Sequence, residues 1–273
     1  MWKEITTSTC AFTVDPADEA GLIRHFQMAM EAGFDGFELA LVPPEYAAVL
    51  HRAAKKSGAK IVAVHGILNG MSCSPDAAER KQAVDRAWRY LEEFAEYAPC
   101  PIVEHYFDRF NAPEPGKYFR NTVEQLLALT EKAGFVFCME NAPYKPETDE
   151  RFPNVAEVAA FARSFGKDRM FMTFDLNHAN LHEDPVTVAK ACAGLVRHIH
   201  VSDNHGLREE HLIPGKGVID FPAVLTALYR NGYQGPCNME FHFPKGTAAQ
   251  TADYREVYNF MTNIRNQCGK ADV

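Results

Sequence analysis

The sequence predicts a single-domain α/β protein folded as a (β/α)8 (TIM) barrel over residues 1–273. Three observations predict it. Strand-like and helix-like segments alternate along the whole chain, eight pairs at a repeat of about 34 residues, the spacing of a parallel barrel. Long connections, 141–153 and 202–220, follow strand-like segments, whereas helix-to-strand turns are short (KAGF, NGYQG), which puts the variable loops on one face. No linker, low-complexity tract or shift of composition divides the chain.

The elements follow in order. Residues 5–13 read as the first strand, and 17–32 have helical spacing ending at Gly33. Residues 34–41 form the second strand. Residues 44–57 are helical, with Pro44 near the start and Gly58 after the end. Residues 60–65 are strand-like and 76–97 a long helix. Five short runs rich in β-branched or aromatic residues complete the strands, at 101–106, 135–140, 170–175, 197–201 and 236–241. Helical segments separate them at 117–133, 155–165, 185–193 and 222–231, and 251–266 is the last helix. An open doubly wound sheet is the structural alternative, but its glycine-rich fingerprint is absent after the first strand, where the chain reads TSTCAFTVDP.

Composition narrows the function classes. Twenty-eight basic against 36 acidic residues give a formal charge of −8, which argues against a protein whose affinity comes from many phosphate contacts. No apolar stretch approaches the roughly 20 residues of a membrane span, and the N-terminus lacks a basic segment followed by an apolar run. Seven scattered cysteines without a C-x-x-C pair read as free thiols in a reducing cytoplasm. The expected location is therefore cytoplasmic, with no membrane or nucleic-acid partner; association into a homo-oligomer is compatible with the sequence.

Four polar residues interrupt apolar runs at the ends of successive strands: Glu140 in FVFCMEN, Asp175 in MFMTFDLNH, His200 in VRHIHVSD and Glu240 in PCNMEFH. A lone carboxylate at such a place is usually a helix cap or an ion-pair partner. Four such polar residues, three of them carboxylates, on four neighbouring strands are better explained by a divalent cation, because an uncompensated buried carboxylate is costly. Three carboxylates and one imidazole form an oxygen-rich set suited to Mn²⁺ first, then Mg²⁺, with Co²⁺, Fe²⁺ and Zn²⁺ compatible. His178, three residues after Asp175, His65, His105 and His211 are candidates around it, as is Lys216 for an anionic substrate group. Alternation places only one of Glu104 and His105 inside the barrel. His198 lies on the face of His200, deeper in the barrel; His182, His205 and His242 read as structural or surface residues. Trp2, Phe12, Phe107, Phe110 and Tyr144 are candidates for packing against a ligand, although such aromatics often only close a barrel.

The set Glu140, Asp175-x-x-His178, His200-x-x-Asp203, His211-x-x-x-Gly215-x-Gly217 and Glu240 resembles the xylose-isomerase-like barrel superfamily, over nearly the whole chain. That group includes sugar isomerases and epimerases of the tagatose-epimerase type, inosose dehydratases, hydroxypyruvate isomerase and endonuclease IV. The resemblance to the epimerase branch implies one Mn²⁺-like ion on Glu140, Asp175, His200 and Glu240. It implies that the two glutamates carry protons on opposite faces of a sugar through an enediolate, and that His178 holds the substrate. Two positions depart from that branch. Its substrate-binding glutamate falls on Pro146, with Glu147 one further on, and its arginine falls on Gly206, with Arg208 two further on. A lyase or dehydratase of a keto-sugar or inosose would begin with the same enolisation. The resemblance to endonuclease IV would use nine ligand positions, with partners here in His65, His105, Glu140, Asp175, His178, His200, His211 and Glu240, and with Glu209 standing at the remaining, aspartate position. Its flanking histidine–proline–glycine run is replaced by EHYFDRF.

Overall fold

In the computed structural model, residues 2–40, 43–106, 116–143 and 154–270 are described. Eight parallel strands close into a barrel in chain order: β1 (Ile5–Ser8), β2 (Gly36–Leu39), β3 (Ile61–His65), β4 (Pro101–His105), β5 (Val136–Glu140), β6 (Phe171–Asp175), β7 (Val196–Val201) and β8 (Cys237–Met239). β8 pairs with β1 through Ile5–Cys237, Thr6–Asn238 and Thr7–Met239, so no strand edge stays open. The doubly wound alternative is thereby removed.

The helices α1 (Glu19–Ala32), α2 (Ala47–Ser57), α3 (Ala77–Glu92), α4 (Lys117–Ala133), α5 (Val155–Arg163), α6 (Leu176–Ala179), α7 (Pro185–Val188), α8 (Phe221–Arg230) and α9 (Thr251–Lys270) connect the strands, α9 following β8. Their boundaries are chemically marked. Asp18 accepts a hydrogen bond from the Gly21 N–H at the start of α1, and left-handed Gly33 and Gly58 close α1 and α2. Asn154 and Glu157 form a reciprocal capping box on α5. None of the described helices is long and apolar enough to cross a membrane.

The apolar core lies between the strands and the helical ring, where Phe26, Phe37, Phe94, Phe119 and Phe137 are buried. Inside the barrel the side chains are largely polar. Thr6 Oγ1 donates to Asn238 Oδ1 (2.8 Å), and Glu38, His198 and His200 are fully buried. Two register shifts break the ladder, between Phe37 and Glu38 and between Met172 and Thr173. Such irregularities re-aim side chains, and both fall beside polar interior residues.

Several expected boundaries change. The first strand stops at Ser8, and Thr9–Ala11 form a 3-10 turn whose Cys10 N–H donates to Ser8 Oγ. The long third helix ends at Glu92, with a separate turn at Ala95–Tyr97. The helix expected over 185–193 keeps regular geometry only through Val188. The short α6 was not foreseen; Asp175 Oδ1 caps it by accepting from the His178 N–H at 2.7 Å. Trp2 does not face the loops after the strands: it is buried before β1 and stacks on Tyr229 at 5.3 Å. Phe12 packs edge-on against Phe26. Phe107, Phe110, Tyr144, Pro146 and Glu147 lie outside the described residues.

Candidate metal centre

The ends of β5, β6 and β7, and the residue after β8, bring Glu140, Asp175, His200 and Glu240 together. One ligand atom from each lies within 4.8 Å of all the others. His200 Nδ1 is the common point: Glu140 Oε1 is 2.9 Å away, Glu240 Oε2 3.0 Å and Asp175 Oδ2 3.7 Å. All four side chains are buried. The two oxygens of Asp175 face different ways. Oδ1 caps α6, while Oδ2 is buried, turned to the cluster and without a hydrogen-bond partner.

Neighbouring groups hold the carboxylates in place. The Asn141 side chain donates through Nδ2 to the Asp175 carbonyl (3.0 Å) and accepts from the Asp175 N–H at Oδ1 (2.9 Å). This amide extends the β5–β6 ladder one rung beyond the strands and sets the height of Asp175.

The histidines are oriented by the same logic. Nδ1 of His65 lies 3.0 Å from the Gly66 carbonyl, Nδ1 of His178 2.7 Å from the Asn141 carbonyl, and Nδ1 of His211 3.1 Å from the Glu240 carbonyl. A carbonyl only accepts, so each Nδ1 carries a proton, and Nε2 is turned to Glu140 in His65 and to Glu209 in His178 and His211. His65 Nε2 lies 3.3 Å from Glu140 Oε2, as does His105 Nε2. His178 Nε2 and His211 Nε2 both face Glu209 Oε1, at 3.3 and 2.9 Å. His200 is reversed: its Nε2 meets Glu38 Oε2 at 2.8 Å and its Nδ1 faces the carboxylates.

The electrostatics fit a cation. Burial disfavours the charged form of both glutamates, yet His200 outweighs it and holds Glu140 well below, and Glu240 below, the usual carboxylate range. Burial likewise opposes protonation of His65, His178 and His211, but the surrounding carboxylates raise them to about 9, about 10 and about 9. Burial lowers His105 to about 4, leaving a neutral imidazole. Imidazolium protons thus occupy the centre of an acidic cluster. Glu140 Oε2, Asp175 Oδ2 and His65 Nε2 are buried there without hydrogen-bond partners. Orphaned ligand atoms around a shared point are what a divalent ion would satisfy.

Among the expected substrate contacts, His65, His105, His178 and His211 border this cluster. Arg208 does not reach it; its side chain is 81% exposed and its nearest acid is Glu210 at 3.7 Å. Lys216 is exposed and lines a separate cavity of about 690 Å³ with Cys10, Phe12, Glu210, His242 and Lys245. That cavity borders the centre, because the His242 ring lies 5.0 Å from that of His211. Glu104 is buried off the centre, accepting from the Leu68 N–H at 3.0 Å, while His105 takes the inward position. Glu38 and Asn141 were not foreseen. Glu38 carried a legible signal, a carboxylate between Phe37 and Leu39 inside a strand-length run, the same interruption that marks Glu140 and Glu240.

A closed parallel barrel with a polar centre at the C-terminal ends of its strands defines the class of (β/α)8 barrel proteins with a candidate metal site on the loop face. The family model described as a xylose isomerase-like TIM barrel matches residues 26–264, and the chain belongs to that family. It is 24% identical over 228 residues to the 3-dehydro-D-guloside 4-epimerase of Escherichia coli strain K12, covering 78% of this chain and 84% of that protein. It is 27% identical over 124 residues to an uncharacterized protein of Methanocaldococcus jannaschii, covering 44% of this chain and 41% of that protein. A solved D-tagatose 3-epimerase-like protein shares the fold with a TM-score of 0.78 at 19% identity, covering 99% of this chain and 100% of that one.

Proposed function

We propose that this protein is a metal-dependent isomerase or epimerase of a sugar, keto-sugar or related polyol, working by proton transfer between Glu140 and Glu240. One observation carries the reading: three buried carboxylates and His200 Nδ1 converge with ligand atoms within 4.8 Å of one another. The E. coli relative, named as an epimerase of a keto-sugar glycoside, supports the substrate class. The reading takes the substrate as a small molecule, with no nucleic-acid or membrane partner, and the location as cytoplasmic.

Glu140, Asp175, His200 and Glu240 would hold one divalent ion, Mn²⁺ before Mg²⁺, Co²⁺, Fe²⁺ or Zn²⁺. Bound there, the ion would polarise a carbonyl and its neighbouring hydroxyl and so acidify the C–H between them. Glu140 and Glu240 come from β5 and from the end of β8, so they reach the centre from different sides. One takes the proton and the other returns it from the opposite face, giving the epimer. Asp175 is fixed by α6 and Asn141 and serves as a ligand only. His65, pinned through Nδ1, offers Nε2 to a substrate hydroxyl, and His178 and His211, whose Nε2 atoms face Glu209, border the cluster as further substrate contacts. The test is metal content after chelation and reconstitution, followed by solvent-deuterium exchange into a panel of ketoses and keto-glycosides. Roughly one ion per chain and exchange at a carbon next to a carbonyl are expected. Failure to bind any divalent ion would overturn the reading.

A second reading rests on its own observation. Two further groups, His65–His105–Glu140 and His178–Glu209–His211, also bring their ligand atoms within 4.8 Å, and Glu140 links the first to the central set. Together these are the nine positions of the endonuclease IV resemblance. Three ions per chain and cleavage of an abasic-site duplex would establish this reading; one ion and an intact duplex would remove it.

A further inference from the structure

We propose that Glu38 is the positioning residue that makes His200 offer Nδ1, and not Nε2, to the metal centre. The inference rests on the metal-site reading above and deepens it. Glu38 sits on β2, beside the register shift between Phe37 and Glu38, and reaches across the barrel to β7. Its Oε2 lies 2.8 Å from Nε2 of both His198 and His200. All three side chains are fully buried.

The proton assignment follows from the acceptor. A carboxylate oxygen shared by two imidazole nitrogens has no proton of its own to give, so both Nε2 atoms donate. With its Nε2–H committed to Glu38, His200 is left with Nδ1 as the nitrogen on the side facing Glu140, Asp175 and Glu240, and as the one whose proton a bound ion would replace. His198 Nδ1 has no hydrogen-bond partner, as expected of a neutral ring whose only proton is on Nε2. The arrangement is a carboxylate–histidine–centre relay, in which the outer carboxylate fixes the tautomer and raises the basicity of the ligand.

A purely structural role accounts for less. Glu38 Oε1 is buried without a partner, and filling the barrel floor with apolar side chains would avoid that cost. The adjacent pair Thr6–Asn238 is neutral and fully internal to the floor. Of these two contacts, the one made by Glu38 extends to a residue of the cluster.

The test uses the full chain, labelled with ¹⁵N-histidine and titrated with Zn²⁺, with Co²⁺ as a visible probe. In the wild type, His200 is expected with a protonated Nε2 and a metal-bound Nδ1. Glu38→Gln, which keeps the shape, should weaken binding of either ion by about 10- to 100-fold. It should also alter the Co²⁺ ligand-field bands and scramble the His200 tautomer. Glu38→Asp keeps the charge but withdraws it by one methylene. It should fall between the two and serves as the variant of record if the glutamine form does not fold. His198→Asn leaves the Glu38–His200 contact and should bind Zn²⁺ like the wild type. If the wild type binds no ion, the metal-site reading fails and this inference with it. If the wild type binds and a folded Glu38 variant binds equally, with the same Co²⁺ bands and the same tautomer, the positioning role alone is overturned.

Discussion

Glu140 and Glu240 meet at one atom: Oε1 of the first and Oε2 of the second lie 2.9 and 3.0 Å from His200 Nδ1. The two carboxylates that would carry protons are therefore also ligands, and each substitution tests both roles. At saturating metal, Glu140→Gln and Glu240→Gln should each lower turnover by about 10²- to 10⁴-fold, the usual contribution of a general acid or base. Each single variant retains one carboxylate, so one epimer should still take up deuterium from solvent while interconversion stops. Proton NMR of the substrate pool distinguishes the two. Loss of exchange from both epimers in both variants would remove the two-carrier assignment.

Metal removal should be visible in stability as well as in turnover. Without an ion, the three buried carboxylates are compensated by imidazolium protons on His200 and its neighbours. An ion at about 100 times its dissociation constant adds about 2.7 kcal/mol to the native state. For a chain of this size that corresponds to a rise of roughly 5 to 10 °C in Tm. Calorimetry of chelated and reconstituted protein measures it. Mn²⁺ and Mg²⁺ should both act, and K⁺ should not.

The strands and the four central residues were legible because they rest on periodicity. A polar residue that ends an apolar run of strand length is visible in FVFCMEN or PCNMEFH, and chain order places the four strands side by side. Glu38 interrupts GFEL in the same way, but its partners are on β7, reached across the barrel interior, and nothing in linear spacing reports that distance. Arg208 and Lys216 lie away from the cluster for a different reason. They sit in the loop between β7 and α8, whose path is set by Asp203 and by left-handed Gly206 and Gly215, with no repeat to read. Asp175 read as a cap or a ligand; one oxygen caps α6, and the other is turned to the cluster without a hydrogen-bond partner.

Asp203 is the latch of that loop. Oδ1 accepts from the Asn204 and Ile219 N–H groups (3.0 and 3.1 Å), and Oδ2 accepts from those of Gly215 and Gly217, both at 2.9 Å. A Cβ on Gly217 would collide with the Asp203 carboxylate, so the glycine permits the close approach. Asp203→Ala leaves four N–H groups to find other partners, at about 1 to 3 kcal/mol. It should raise KM and lower kcat by displacing Glu209 and His211, while the barrel strands keep their hydrogen-exchange protection. Faster exchange confined to 203–220 is the signature; a loss spread evenly over the barrel would contradict the latch.

Glu104 gives the pH prediction. Burial pushes its carboxyl up to about 7, although the Leu68 and Ile67 N–H groups and His65 pull the other way. The folded state therefore binds this proton more tightly than the unfolded chain, whose glutamate titrates near 4.5. Between those values the native form holds a proton that the unfolded form has lost, so this group's contribution to stability falls as pH rises, and levels off above 7. Glu104→Gln removes the titration. In metal-free protein its stability relative to the wild type should climb by up to about 3 kcal/mol from pH 4.5 to pH 8, read from urea unfolding. A flat difference across that range would show that Glu104 ionises normally. Gly66 makes the pocket for this carboxyl, since a Cβ there would overlap it. Gly66→Ala should destabilise by about 1 to 3 kcal/mol through overpacking, and less in a Glu104→Ala background, because removing the carboxyl frees the space that the new methyl needs. Additive losses would place the strain elsewhere.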